Sequence, residues 1–345
     1  MPAGGLARRA RHPLALAVLS VFSAPVVAGT DCVPGYWDNG GTCTAASLGH
    51  YVAGFGATAQ VPASIGYYVG ITGATAQSPS LLGHYVDVTA ATAPVPCLPG
   101  RYASTTAATV CAIAQIGYFA AGPAATGQTP APLGFYVASV GASAPIPASP
   151  GQYVGVTGAT ASNPCGIGTY ASSTGAIACT PAPAGSYVNT IAATTPVACT
   201  PGRYQTATGA TTCLVAQIGY YAAGIGAVAQ IPAPLGYYVA TTGATTAIAA
   251  LPGYYVGVTA AATSTACAVG GFSPSTAQSA CTPAPPGSYV DTVAATTSNL
   301  CTPGRYTSTP GATVCSIAQI GYYAFGNGAV AQIPAPLGYY VATTG

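Results

Sequence analysis

Gly66 to Leu82 reads GYYVGITGATAQSPSLL, and the rest of the chain varies on this theme. The opening Gly recurs every 17 residues from Gly49 to Gly338, with no insertion or deletion. Two residues after each Gly stands an aromatic, Tyr in most repeats and Phe at Phe119 and Phe272. With the Gly as position 1, position 8 is Gly or Ala, position 9 is Ala except at Gln278, and position 14 is most often Pro. A fixed short period of this kind marks a repeat architecture, in which each unit is too small to bury a core alone and must stack on its neighbours.

The pattern excludes helix. Gly and Pro punctuate every repeat, and no apolar stripe of 3.6-residue period survives between them. Tyr-Tyr-Val and Ala-Thr-Ala-Gln segments are expected as short strands, with Thr-Thr-Gly and Pro-Ala-Pro-Leu-Gly pieces as turns. The expected fold is all-β: an elongated tandem-repeat rod of stacked short β-hairpins, stapled by disulfides, with a β-solenoid as the alternative. The always-aromatic position 3 is expected to form the core of the stack. Position 2 varies among Tyr, His, Arg, Ser and Gln, which predicts exposure.

Twelve cysteines follow the same register. Cys97/Cys111, Cys165/Cys179, Cys199/Cys213, Cys267/Cys281 and Cys301/Cys315 are each 14 apart. Cys32/Cys43 are 11 apart, beside an opening repeat that is three residues shorter, so the spacing tracks the deletion. An even count behind a leader reads as disulfides in an oxidising compartment. Metal ligation is not expected, because no CxxC or Cys/His cluster is present. Each regular pair joins position 15 to position 12 of the next repeat. In a flat coil these would lie about 10 Å apart along the strand, whereas a disulfide needs Cα atoms about 5.5 Å apart. A hairpin centred near position 5, placing position 1 opposite position 9, explains the spacing and predicts why both stay small.

Cys301-Thr-Pro-Gly-Arg-Tyr306 through Cys315 resembles the first loop of the cysteine-rich modules of tumour-necrosis-factor receptors, and likewise ephrin-receptor-like cysteine-rich domains with their C-x-P-G-x-Y…C pattern. Cys97–Cys111 and Cys199–Cys213 match equally well. The resemblance implies ladders of small hairpins in an extracellular protein. The second cysteine pair of those modules is missing and most repeats here carry no cysteine, so ligand binding is not carried over.

A larger period overlies the small one. Gly219 to Gly243 returns almost unchanged at Gly321 to Gly345, 102 residues on, and Arg101, Arg203 and Arg305 share that spacing. Six repeats form a duplicated block, and the chain stops inside a repeat at Gly345, which suggests a longer protein. At the other end, Arg8, Arg9 and Arg11, an apolar stretch from Pro13 to Phe22 and the small residues Val26 and Ala28 form the pattern of a secretory leader cleaved after Ala28. That apolar stretch falls short of the roughly 20 residues that span a bilayer. The expected organisation is a signal peptide over 1–28, a capping unit over 29–48 and tandem repeats over 49–345, with no membrane span after the leader.

Beyond the leader only Arg101, Arg203 and Arg305 stand against Asp31, Asp38, Asp87 and Asp291, with no Lys and no Glu. No basic patch exists for phosphates, so nucleic acid is not an expected partner. So sparse a charge leaves little repulsion against self-association. No catalytic, metal or cofactor-binding residue is expected. His50 and His84 read as variants of position 2, Asp87 as a variant of position 5, and the aspartates are too scattered for a carboxylate pair or a calcium cage. Tyr220, Tyr237 and Tyr254 are expected as an exposed aromatic stripe, and with the three arginines they are the candidate contact surface. Thr72 and Thr75 would stack into ladders that resemble ice-binding solenoids, but Phe55, Pro123, Val140, Ile191 and Ile225 break them. The expected function is a secreted structural or adhesive component of a cell surface, a rod, stalk or self-assembling fibre. Its expected partner is itself or another extracellular molecule, and it needs no cofactor. A receptor-like binding module is the alternative, ice binding a minor one, and an enzyme is not expected.

Overall fold

The structure is a computed structural model and describes residues 31–345. The leader expected over 1–28 lies outside the described residues. The described chain is an all-β tandem array of 18 two-stranded antiparallel hairpins, one for each repeat from Gly35 to Gly321. It divides into two compact units. One ends at Ile113 and takes in Ala121–Gly127; the other comprises Ala114–Ala120 and Gln128–Gly345. The same local rules build both.

Within a hairpin, position 2 pairs with position 14 and position 3 with position 13. Tyr67 faces Pro79 and Tyr68 faces Ser78 in the first unit, and Tyr220 faces Pro232 and Tyr221 faces Ile231 in the second. The Ser80 N–H donates to the Gly66 carbonyl at 2.8 Å, so position 15 closes on position 1. Hydrogen-bonded and non-hydrogen-bonded pairs alternate along an antiparallel ladder, so position 14 falls at a non-bonded pair and its N–H faces outward. Proline, which lacks that N–H, therefore sits there at no cost to the ladder and blunts an open strand edge.

The hairpin is centred on position 8. This corrects the expected pairing of position 1 with position 9, which does not occur. The second strand lies at positions 13–14, not over Ala-Thr-Ala-Gln; that segment is loop. The proline was expected to mark a turn, but the turn begins two residues later. At Ser64 to Tyr67 the Tyr67 N–H closes on the Ser64 carbonyl at 2.9 Å, with Gly66 at φ 86°. This is the geometry of a type II turn, which needs Gly third and welcomes Pro second, as in Pro150-Gly151 and Pro252-Gly253.

Three backbone bonds per repeat then stitch hairpin to hairpin. The Gly66 N–H reaches the Val86 carbonyl at 2.8 Å, and the Val69 N–H reaches the Ala91 carbonyl at 2.9 Å, both in the next hairpin. The Ala90 N–H reaches back to the Ala63 carbonyl at 2.8 Å, two hairpins away. The second unit repeats this circuit with Gly236 to Val256, Val239 to Ala261 and Ala260 to Ala233. Position 9 earns its place through its carbonyl, and position 8 through a left-handed backbone that aims its N–H backward.

The core is correspondingly thin. Positions 4 and 15 are buried, as at Val69, Val86, Ala63 and Cys97, and the largest fully buried side chains are valines and cysteines. Ala63 packs on Val69 and Ala74 of the following hairpin, with Tyr51 at the margin. The aromatics of position 3 are half-buried, which corrects their expected role as the core. They border each junction; the small residues fill it. Buried polar variants are satisfied locally: the Ser80 hydroxyl donates to the Ala108 carbonyl, and the Gln205 amide to the Thr212 carbonyl at 2.8 Å. No hairpin could hold alone with so little apolar area.

The short Gly35 repeat loses its three residues from the loop. Asp38 pairs directly with Cys43, and the Asn39 N–H closes on the Thr42 carbonyl at 2.9 Å. The missing loop is the part that elsewhere serves the preceding hairpins. Its forward bonds remain, from the Gly35 N–H to Val52 and from the Asp38 N–H to Ala57, each 2.8 Å.

Candidate functional site

The junction between successive hairpins is fastened at position 12. The six disulfides Cys32–Cys43, Cys97–Cys111, Cys165–Cys179, Cys199–Cys213, Cys267–Cys281 and Cys301–Cys315 form there, with Cα separations of 5.5–5.8 Å. Each of the five regular bridges joins position 15 of one hairpin to position 12 of the next, across the buried contact. Cys97 and Cys111 share their cluster with Ala103, and Tyr85 packs against it. Each closes a loop of about 15 residues, worth roughly 3 kcal/mol in the chain-entropy model.

A second fastening was not anticipated from the sequence. Where position 12 is Gln, its side-chain oxygen accepts the N–H of position 16 in the preceding hairpin. Gln60, Gln77, Gln128, Gln230 and Gln332 do this at 2.7–2.9 Å. Other junctions, such as those at Pro145, Ser162 and Pro196, carry neither device. From Cys111 onward the order is disulfide, Gln, open, open, disulfide, open. It begins again at Cys213 and at Cys315. The signal was in the sequence as Gln at position 12 of some unbridged junctions, each with Ala at the preceding position 15, but Gln in a polar turn draws no attention by itself.

Arg101, Arg203 and Arg305 occupy position 2 of the three hairpins that open these blocks. Each guanidinium donates from Nη1 to the carbonyl of the bridged cysteine across the hairpin: to Cys111 at 3.4 Å, to Cys213 at 3.2 Å and to Cys315 at 3.2 Å. Each also lines a shallow cleft shared with the preceding hairpin. Arg203 meets Tyr187, Asn189, Thr200 and Thr212 around ≈ 290 Å³. Arg305 meets Tyr289, Asp291, Thr302 and Thr313 around ≈ 260 Å³. Arg101 meets Tyr85, Asp87, Leu98 and Thr109 around ≈ 270 Å³. Among the described residues, the clefts therefore gather all three arginines and two of the four aspartates.

The tyrosine stripe is less open than expected. Tyr220 and Tyr237 are half-buried, each opposite a position-14 residue, and only Tyr254 reaches 36% exposure. A non-bonded pair brings its side chains close, which explains the cover. The structure does not bring His84 and Asp87 together as a site. His84 Nδ1 lies 3.1 Å from the Leu82 carbonyl, while Asp87 lines the Arg101 cleft. His50 Nδ1 likewise lies 3.2 Å from the Leu48 carbonyl. Thr72 and Thr75 fall in the loop, away from the paired strands. Among the described residues no three of His, Cys, Asp or Glu are grouped as metal ligands, and no helix is long and apolar enough to cross a membrane.

Compared with protein-family models and with curated proteins, the chain matches none. Of the resemblance to receptor cysteine-rich modules, the coarse part stands in the structure: a regularly repeating, disulfide-stapled, all-β hairpin array.

Proposed function

We propose that the protein is a secreted structural or adhesive component of an extracellular surface, serving as a stalk or a self-assembling fibre, with the segment 29–48 as its cap. The observation that carries this reading is the pairing of a stapled hairpin array with an apolar, almost uncharged exterior. Ile71, Leu98, Ile191 and Ile225, at 69–76% exposure, are among many exposed large apolar side chains. Surfaces so apolar and so free of charge favour association over dispersal. The outward strand edge is blunted at the prolines, so contact between copies is expected through side chains and not through added strands. Extracellular placement rests on the leader pattern and on disulfides that persist only under oxidising conditions. No catalysis enters this reading.

Electron microscopy of the purified mature protein tests it. Filaments or lateral bundles are expected, and uniform monodisperse particles at every concentration would sink the assembly reading.

A further inference from the structure

We propose that the three arginine clefts are glycan subsites, each taking one sugar ring of a neutral extracellular polysaccharide. The fold does not need these arginines. Cys165–Cys179 and Cys267–Cys281 form in the same way on hairpins whose position 2 is Thr169 and Gly271. In a chain this poor in charge, a side chain the architecture can spare recurs at the same place every 102 residues, facing an equivalent cleft.

What the clefts share defines the ligand. Position 5 of the preceding hairpin is Asp87, Asn189 or Asp291, so its charge changes while a side-chain oxygen acceptor persists. The bond from Nη1 to the cysteine carbonyl holds each guanidinium in place and leaves the other donors of its fork for a ligand. A vicinal diol satisfies both sides at once: one hydroxyl donates to the Asp or Asn oxygen, and its neighbour accepts from arginine. The half-buried tyrosine offers an apolar ring to the C–H face of a sugar. A carboxylate in two of the three clefts disfavours an anion as the common ligand. Volumes of ≈ 260–290 Å³ sit just under the usual range for small-molecule pockets, which suits one ring of a polymer passing over an open cleft. Subsites repeated along one chain turn weak single contacts into firm retention of a repeating ligand. This inference stands whether or not the protein assembles with itself.

The test is affinity electrophoresis of the full, oxidised chain through gels containing dextran, laminarin, galactomannan or polygalacturonate. Retardation by at least one neutral polysaccharide is expected. The triple variant Arg101→Gln, Arg203→Gln, Arg305→Gln should weaken it at least about tenfold, as loss of charge-assisted hydrogen bonds implies. Asp87→Ala with Asn189→Ala and Asp291→Ala should weaken it as well, because the acceptor of each cleft is lost. Circular dichroism and thiol titration check that the variants fold and pair their cysteines. No retardation by any neutral probe, retardation by polygalacturonate alone, or undiminished retardation of the triple variant would overturn the proposal. Microscopy of the same triple variant separates this outcome from the assembly reading, since filaments should form without the arginines.

Discussion

The carbonyl oxygen of Ala107 lies 2.5 Å from the point where a Cβ on Gly66 would stand. That contact spans two hairpins, and Gly49 meets Ala90 and Gly236 meets Ala277 in the same way, at 2.1 Å each. Position 1 is thus glycine for two reasons, a positive φ and backbone where a side chain would be. Position 8 has only the first. A Cβ on Gly73 would meet nothing nearer than 3.9 Å, and Ala90 adopts φ 57° in the equivalent place. Gly66→Ala should therefore cost on the order of 3 kcal/mol, combining left-handed strain with a clash that backbone cannot relieve. Ala90→Gly should stabilise by about 1 kcal/mol. Thermal denaturation of the two variants checks the contrast, and equal effects of the same sign would refute it.

The two fastenings at position 12 should be interchangeable. Ala216 and Gln230 stand where Cys199 and Cys213 stand in the preceding hairpin pair. Ala216→Cys with Gln230→Cys should form a seventh disulfide, seen as two hydrogens lost by mass and no added free thiol. It should raise local stability by roughly 3 kcal/mol. Gln230→Ala alone should cost about 1 kcal/mol, the worth of one hydrogen bond to backbone.

Opening should start where neither device is present. The Gly134 and Gly151 hairpins are each fastened backward only by their backbone bonds, since position 12 is Pro145 and Ser162. Native-state hydrogen exchange should find the amides of Ala120 and Val137, which bond across these two open junctions, exchanging faster than those of Val154 and Val188, which bond across junctions stapled by Cys165–Cys179 and Cys199–Cys213. A flat profile along the array would contradict the pattern.

Reduction should soften the array without melting it. The backbone bonds between hairpins, such as Gly66 to Val86 and Val239 to Ala261, and the packing of small residues such as Val69 and Ala63 do not depend on the bridges. In reductant, circular dichroism should retain its β signal while the thermal midpoint falls. Complete loss of that signal would show that the disulfides, not the stacking, hold the fold.

The repeat length, the hairpin class and the pairing of cysteines by spacing were all readable because a strict period leaves few ways to place them. The hairpin centre was not. Proline at position 14 looks like a strand breaker, as does glycine at position 1, and only the alternation of the ladder shows that Pro79 sits where no N–H is needed. The core was misjudged for a related reason. Tyr68 is the largest residue of its repeat, yet the junction is so narrow that Val69 and Ala63 fill it and the ring is left at its border. The arginines stood out by their scarcity. Their partners Asp87, Asn189 and Asp291 did not, because they belong to the preceding hairpin and meet the arginines only once the two are stacked.

No repeating bond is longer than the one from Ala90 back to Ala63. A hairpin has therefore met all its partners as soon as the next two repeats have been made. Synthesis delivers those roughly 34 residues in a few seconds, whereas a hairpin closes in microseconds. Folding can keep pace with the growing chain from its first repeat to its last. Adding another block lengthens the protein without adding a slow step, so length becomes a property that gene duplication can adjust freely.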